Sequence, residues 1–420
     1  MLTSTHPGLS EAPELSEPGH DSARSRSDDC GQGLRIGPIE VAIPVVLAPM
    51  AGITNAAYRQ LCREQAELGV DGGQRSDRGG RPAGLFVCEM ITSRGIVERD
   101  PKTLSMLQFD PGELVRSVQL YGVDPAVMGR ATAILCEEYA VSHVDLNFGC
   151  PVPKVTRKGG GAVLPYKRDR LRAILTSTVA AAAPYGVPVT MKTRIGIDDA
   201  HQTYLDAGRI AEDSGCAAIA LHGRTAQQAY SGHADWQAIA ALKASVGIPV
   251  LGNGDLWEPD DALTMVEQTG IDGVVVGRGC LGRPWLFRDL ASAFSGTPTQ
   301  TLPDLRSVAD TLRRHAELLA VLQGEEHGCK DLRKHMAWYL KGFPVGGDLR
   351  RSLAMVSSLA ELDDLLDRLP AAPFPVGELG KPRGRQGSPR GRVALPEGWL
   401  DDTSGNALDL RDAELGISGG

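Results

Sequence analysis

The sequence predicts an α/β protein: a (β/α)8 TIM barrel over about residues 34–302, followed by an all-helical domain over 303–370. Two observations carry this. Eight short apolar runs recur at intervals of about 24 to 45 residues, each closing on polar or glycine-rich residues, with alanine-rich amphipathic segments between them. After Leu302 the strand-like runs stop and only helical spacing continues, as in LRSVADTLRRHAELLAVL and RSLAMVSSLAELDDLLDRL. A chain of 420 residues is long enough for one large α/β unit and a smaller one.

The eight runs begin at Val45 (VVLAPMAGIT), Leu85 (LFVCEMI), Arg116 (RSVQLYG), His143 (HVDLNFGCP), Pro188 (PVTMKTRIG), Ala218 (AIALHGRT), Pro249 (PVLGNGD) and Gly273 (GVVVGRG). Runs apolar throughout read as parallel strands covered on both faces. The intervening helices include Ala126–Ala140, Leu205–Ser214, Trp236–Ser245 and Pro259–Thr269. A doubly wound sheet is the structural alternative, but it rarely carries polar motifs after all eight strands.

Composition marks three segments as unlike the rest. Residues 1–33, rich in Ser, Pro, Gly, Asp and Glu without apolar periodicity, read as a disordered extension. Residues 71–81 (DGGQRSDRGGR) read as a flexible insertion in the barrel. Residues 371–420, with GELGKPRGRQGSPRGR, read as a mostly disordered tail with one short docked piece at Val393–Leu400.

No apolar run reaches the ~18 residues of a membrane span, and Met1–His20 lacks the pattern of a signal peptide, so a cytoplasmic location is expected. The eight cysteines are scattered, the closest pair fourteen positions apart, so neither a disulfide framework nor a metal site is expected. The net charge of -8 gives no global argument for nucleic acid and does not exclude a local basic patch. One candidate patch is Lys330–Arg351, where six Lys/Arg face two acids and His335, Trp338, Tyr339 and Phe343 are interleaved. Alone, such a run reads as a solvated helix face.

In a (β/α)8 barrel the C-terminal strand ends build the active site. Here they carry Met50-Ala51-Gly52, Glu89, Gln119, Asn147 with Cys150, Lys192 with Arg194, His222 with Arg224, Asn253-Gly254-Asp255 and Gly277-Arg278. The glycine-bearing ends of the last two strands, with Arg278, suit a phosphate. Lys192 is suited to an anionic ring, and Gln119 offers both a donor and an acceptor.

The stretches LAPMAGITNAAYRQLCRE, QLYG, VDLNFGCPVPKVTRKGGGAVL, MKTRIGIDD, LHGRTAQQAYSGHADW, LGNGDL, VVVGRGCLGRPWLF and LRKHMAWYLKGFP occur in this order over about Ile36–Leu369. Together they resemble the bacterial tRNA-dihydrouridine synthases, closest to the B type. The resemblance implies reduction of the uracil C5–C6 double bond at D-loop uridines of tRNA, with bound FMN and NADPH as reductant. It implies FMN contacts at Pro49, Met50, Ala51, Gln119, Lys192, His222, Asn253, Gly254, Asp255, Gly277 and Arg278, and Cys150 as the proton donor. Asn147, Lys158, Arg194, Arg224, Arg333, Lys334 and Lys341 are expected on the tRNA side, with Lys158–Gly161 as a mobile loop over the substrate. The helical domain would grip the tRNA. Two other readings stay open: an FMN-dependent dehydrogenase of a free pyrimidine, and a flavin-containing RNA-binding protein without turnover.

Overall fold

The computed structural model describes Met1 and residues 33–71, 80–389 and 391–404. The expected N-terminal extension therefore lies almost wholly, and the 71–81 insertion mostly, outside the described residues.

The described residues form ten strands: β1 (Leu34–Ile36), β2 (Ile39–Val41), β3 (Val45–Leu47), β4 (Leu85–Thr92), β5 (Ser117–Tyr121), β6 (His143–Phe148), β7 (Val189–Arg194), β8 (Ala218–His222), β9 (Val250–Asn253) and β10 (Gly273–Val276). Strands β3 to β10 pair in parallel in chain order and close where β10 meets β3, giving the expected eight-stranded barrel. Alternation along each strand divides the core in two. Val45, Leu47, Val250 and Val274 face the outer helices, whereas Val46, Ala48, Leu251 and Val275 face the barrel interior.

The β1–β2 hairpin was not foreseen. It is antiparallel, and its Leu34, Ile36, Ile39 and Val41 pack onto the inward-facing Val46, Leu85, Val87, Ala218 and Val275. Runs of three residues carry too little periodicity to be read as strands. Their role is set by the open N-terminal end of the barrel, which they plug.

Local chemistry starts the barrel helices where the sequence allows. Asp124 accepts from the Ala126 and Val127 amides ahead of the Pro125–Tyr139 helix, and Asp235 does the same for Trp236–Ser245. Glu258 and Asp261 form a capping box on Pro259–Thr269.

Beyond Leu302 the helices Leu305–Gln323, Glu325–Tyr339, Gly347–Leu353 and Leu359–Asp367 share one apolar core. Ala57 and Trp285 from the barrel enter that core, so the helices sit directly on it. Tyr58 donates to the Cys280 carbonyl at 2.5 Å and stacks near His335 at the same junction.

The segment from 371 is more extensively docked than the single piece expected at Val393–Leu400, where Val393, Leu395, Trp399 and Leu400 do pack on the barrel. Over 371–389 and 391–404 it runs back along the barrel instead of leaving it. Arg383 is buried and donates to the Leu281 and Trp338 carbonyls, and Lys341 donates to the Pro382 carbonyl. Trp399 is 1% exposed, packs with Val163 and Ile197 and donates to the Val163 carbonyl. Composition had suggested disorder because the segment has few apolar residues. Arginine-to-carbonyl bonds and one indole hold it instead.

The buried pair Arg59–Glu113, 2.6 Å apart and nearly inaccessible, ties the Ala56–Asp71 helix to the loop before β5. Replacing Glu113 with Ala strands the guanidinium in the interior and should lower unfolding free energy by about 3–5 kcal/mol, read by urea denaturation. Replacing both residues with apolar ones should recover much of that loss.

Candidate active site

A cavity of about 360 Å³ opens at the C-terminal mouth of the barrel, within the range that holds small ligands and cofactors. Its lining includes Met50, Gln119, Cys150, Lys192, His222 and Arg278. The folded chain therefore converges residues from strands β5, β7 and β8 and from the loops after β3, β6 and β10 on one space. Pro49, Ala51, Asn147, Asn253, Gly254, Asp255 and Gly277 also border it.

Under this cavity runs a polar column built by inward-facing positions of three adjacent strands. Register sets Ser117 beside His143, Gln119 beside Asp145, and Asp145 beside Thr190. Asp145 accepts from Gln119 Nε2 and from Thr190 Oγ1, both at 2.7 Å. Since the Thr190 hydroxyl donates to Asp145, it must accept from His143 Nε2 at 2.9 Å, which leaves His143 Nδ1 to accept from Ser117 Oγ at 2.7 Å. That is the neutral tautomer, and burial pushes the His143 imidazole down to about 4.

On the other side of Gln119, its Oε1 accepts from Asn147 Nδ2 at 2.8 Å. The Asn147 Oδ1 then accepts from the amides of Gly149 and Cys150 at 3.1 and 3.0 Å. A continuous relay thus fixes the Cys150 turn from the buried carboxylate. Met90, Tyr121 and Val155 form the apolar bed against which Cys150 packs.

Cys150 is partly exposed, whereas Cys62, Cys88, Cys136, Cys216, Cys280 and Cys329 are buried. Burial raises the Cys88 and Cys136 thiols to about 11. The cavity is cationic. Lys192, Arg194 and Arg278 line it, with Arg224 next to His222, and burial beside Arg194 lowers the Lys192 ammonium to about 7, against the pull of Asp145. Burial and the same cations hold His222 neutral. Arg278 lies between the Tyr230 and Trp257 rings, 4.7 and 5.0 Å from their centroids.

Several of the expected residues are bonded within the fold. Arg194 and Arg224, expected on the tRNA side, are both buried and bonded within the fold, although Arg194 still borders the cavity. Arg194 donates to the Gly149, Thr225 and Ala229 carbonyls, and Arg224 to the Ser231 and Gly232 carbonyls and the Asp255 carboxylate. Asp255, expected to hold a phosphate, accepts instead from Arg224 and the Ala234 amide; its charge would repel an anion. The Asn253 amide is committed to the Val275 carbonyl at 2.6 Å. Lys158–Gly161 is not a free loop, since Gly159, Gly160 and Gly161 are buried. A Cβ on Gly160 would lie 2.5 Å from the Tyr121 hydroxyl, and one on Gly161, at φ +59°, would lie 2.4 Å from the Cys150 carbonyl.

In the helical domain, Arg333 donates to the Met355 and Val356 carbonyls and Lys341 bridges to Pro382 and Glu378. Lys334 is exposed, pairs with Asp331, and reaches the barrel mouth close to Gly52.

Sequence reasoning missed Asp145, Tyr230, Trp257 and Arg385. Asp145 was findable, since it precedes Asn147 by two on a strand and so shares its face. The others come from loops and the C-terminal segment. Among the described residues, no group of three or more His, Cys, Asp or Glu is placed to hold a metal, and no helix is long and apolar enough to cross a membrane.

Cysteine exposure is directly testable. Brief maleimide treatment of the native protein followed by peptide mass mapping should label Cys150 ahead of the six buried cysteines by at least about tenfold in rate.

Comparison with known proteins agrees with this architecture. The family model described as "Dihydrouridine synthase (Dus)" matches residues 46–372. The chain is 56% identical over 360 residues to a "Probable tRNA-dihydrouridine synthase" of Mycobacterium tuberculosis (strain CDC 1551 / Oshkosh), covering 85% of this chain and 90% of that one. It is 53% identical over 347 residues to the protein of the same description from Mycobacterium leprae (strain TN), covering 80% and 90%. It is 37% identical over 320 residues to "tRNA-dihydrouridine synthase B" of Pseudomonas aeruginosa (strain PAO1), covering 76% and 90%. This chain belongs to the dihydrouridine synthase family.

Proposed function

We propose that this protein is an oxidoreductase that reduces the C5–C6 double bond of D-loop uridines in tRNA to dihydrouridine, with FMN bound in the barrel mouth and NADPH as reductant. The observation that carries this reading is the relay from Asp145 through Gln119 and Asn147, which fixes the Cys150 turn beside a cationic cavity.

The residues present fit FMN. The Lys192 ammonium has no hydrogen-bond partner among the described residues, and it faces a cavity of suitable size. An anionic ring edge beside it would supply the missing counter-charge. Arg278, held between two aromatic rings next to the turn at Gly277, suits the phosphate end. Pro49, Met50 and Ala51 would border the ring, with Gln119 and His222 along it. Asn253 and Gly254 would offer backbone, while Asp255 would act through Arg224. When bound and reduced, FMN supplies a hydride for C6 of the uracil.

The chain's own residues do the rest. Cys150 holds the proton destined for C5, on a sulfur whose direction is set by the Asn147 bonds to the turn. Arg194 pins the Gly149 carbonyl at 2.7 Å, so the turn is held from the opposite side as well. The packed Gly160–Gly161 segment supports Cys150 from behind. A base must leave its stack to enter a cavity at a barrel mouth, and Asn147 lies where it would meet the uracil edge. Lys334 and the helical domain stand at the side from which RNA would approach, with Lys158 on the loop after Cys150.

Cys150→Ala should retain flavin absorbance and tRNA affinity while dihydrouridine formation falls by at least about 100-fold. Full turnover in this variant would remove Cys150 from the role of acid; loss of flavin would make it structural.

The Lys192 shift gives a pH signature. In the ligand-free protein the ammonium is lost as pH rises through about 7, and a bound anion favours the charged form. FMN affinity of the apoprotein should therefore fall with rising pH, by up to about tenfold per unit above 7. Lys192→Met should bind FMN weakly with a flatter profile, as measured by flavin fluorescence quenching.

A further inference from the structure

The C-terminal segment carries a charge pattern that the catalytic reading does not use. Residues Lys381–Arg392 (KPRGRQGSPRGR) contain five Lys/Arg and no acid, in a chain whose net charge is -8. The segment lies beyond residue 372, where the match to the family model ends.

Its backbone is held at both ends. On one side Arg383 is buried between the Leu281 and Trp338 carbonyls, and Gly384 passes so close that a Cβ would lie 2.6 Å from Leu281. On the other side Trp399 is buried under Val163, the Lys167 ammonium sits 5.1 Å over its ring, and the Arg168 amide donates to Thr403. Between these anchors Gln227 donates to the Gly391 carbonyl. The segment is thus a strap that leaves the loop after β10 and crosses to the loops after β6 and β8.

The strap borders the cavity. Arg278, one of its cationic lining residues, donates to the Arg385 carbonyl at 2.8 Å, and Arg385 itself lines the opening. Arg385, Gln386, Gly387, Ser388, Pro389, Gly391 and Arg392 are exposed; Arg390 lies outside the described residues. Exposed arginines on an anchored backbone lose less freedom on binding than those on a free tail. Their charge adds to that of the cavity and faces the same approach.

We propose that the strap Lys381–Arg392 is a second RNA-binding surface, which contacts phosphates of the tRNA backbone flanking the uridine that enters the cavity. It starts against the helical domain, where Arg383 and Pro382 meet Trp338 and Lys341, and continues past the mouth to the loops after β8 and β6. The strap then adds phosphate contacts, and with them affinity that the barrel and helical domain alone do not supply. This inference rests on tRNA being the substrate.

The test uses the full-length flavoprotein and an in vitro transcribed tRNA. Arg385→Glu/Arg392→Glu should retain flavin absorbance and lose at least about tenfold in tRNA affinity. The slope of log affinity against log salt should become shallower by about 1 to 2. Arg385→Lys/Arg392→Lys, which keeps the charge, should bind within about threefold of the unaltered protein, and Trp399→Ala, which frees the far anchor, should lie between. Unchanged affinity and salt slope in the double Glu variant would overturn the inference while leaving the proposed reaction intact. Loss of flavin from that variant would overturn it too, by assigning the strap to the cofactor. Absence of tRNA affinity in the unaltered protein would overturn the proposed substrate and this inference with it.

Discussion

Asp145 is the buried charge on which the arrangement of the barrel mouth depends. A carboxylate in the barrel interior is tolerated only if its oxygens are paired, and here Gln119 and Thr190 each occupy one of them. Burial still raises its pKa, opposed by those two bonds and by the Lys192 charge. Because both neighbours must donate to it, the polarity of every further bond is fixed outward from this residue. Thr190 must accept from His143, and Gln119 is left with an oxygen for Asn147. The direction of the Cys150 turn is therefore decided several side chains away from the thiol.

The cations of the mouth divide into two kinds by what their donors already touch. Arg194 and Arg224 have the geometry to bond several carbonyls at once, and they spend it on closing the loops after β6 and β8. Arg194 borders the cavity while most of its donors are bonded elsewhere. Lys192 has a single point of attachment and no hydrogen-bonded partner among the described residues, so burial acts on it with little relief. The arginines thus set the potential and the lysine is the group left to answer to a ligand. Arg278 is intermediate, flanked by Tyr230 and Trp257 yet still bordering the cavity.

The helical domain and the C-terminal strap frame the mouth by different physics. The helices are joined to the barrel through a shared apolar core that includes Trp285, and through ring contacts of Tyr58 with His315 and His335. The strap is joined by isolated anchors, chiefly Arg383 and Trp399, with exposed backbone between. The first gives a packed wall, and the second gives an anchored path with exposed side chains.

Much of this was legible in the chain itself, for reasons that are local. The eight apolar runs are each long enough to show burial on both faces, so strands β3 to β10 and their order could be read directly. The strand residues Gln119, Asn147 and Lys192 follow from periodicity, because position in a strand fixes which face a side chain takes, and Cys150 and Arg278 follow from their place just past a strand end. The same rule would have added Asp145, two positions before Asn147. What the chain could not show is how much of each side chain's bonding capacity is consumed. An arginine at a strand end looks alike in sequence whether it meets a ligand or three carbonyls. Only the fold, by bringing Gly149, Thr225 and Ala229 around Arg194, made it structural. The β1–β2 plug and the strap were hidden for a related reason. Both are too short or too polar to announce a structure alone, and they acquire one only from the barrel surface against which they lie.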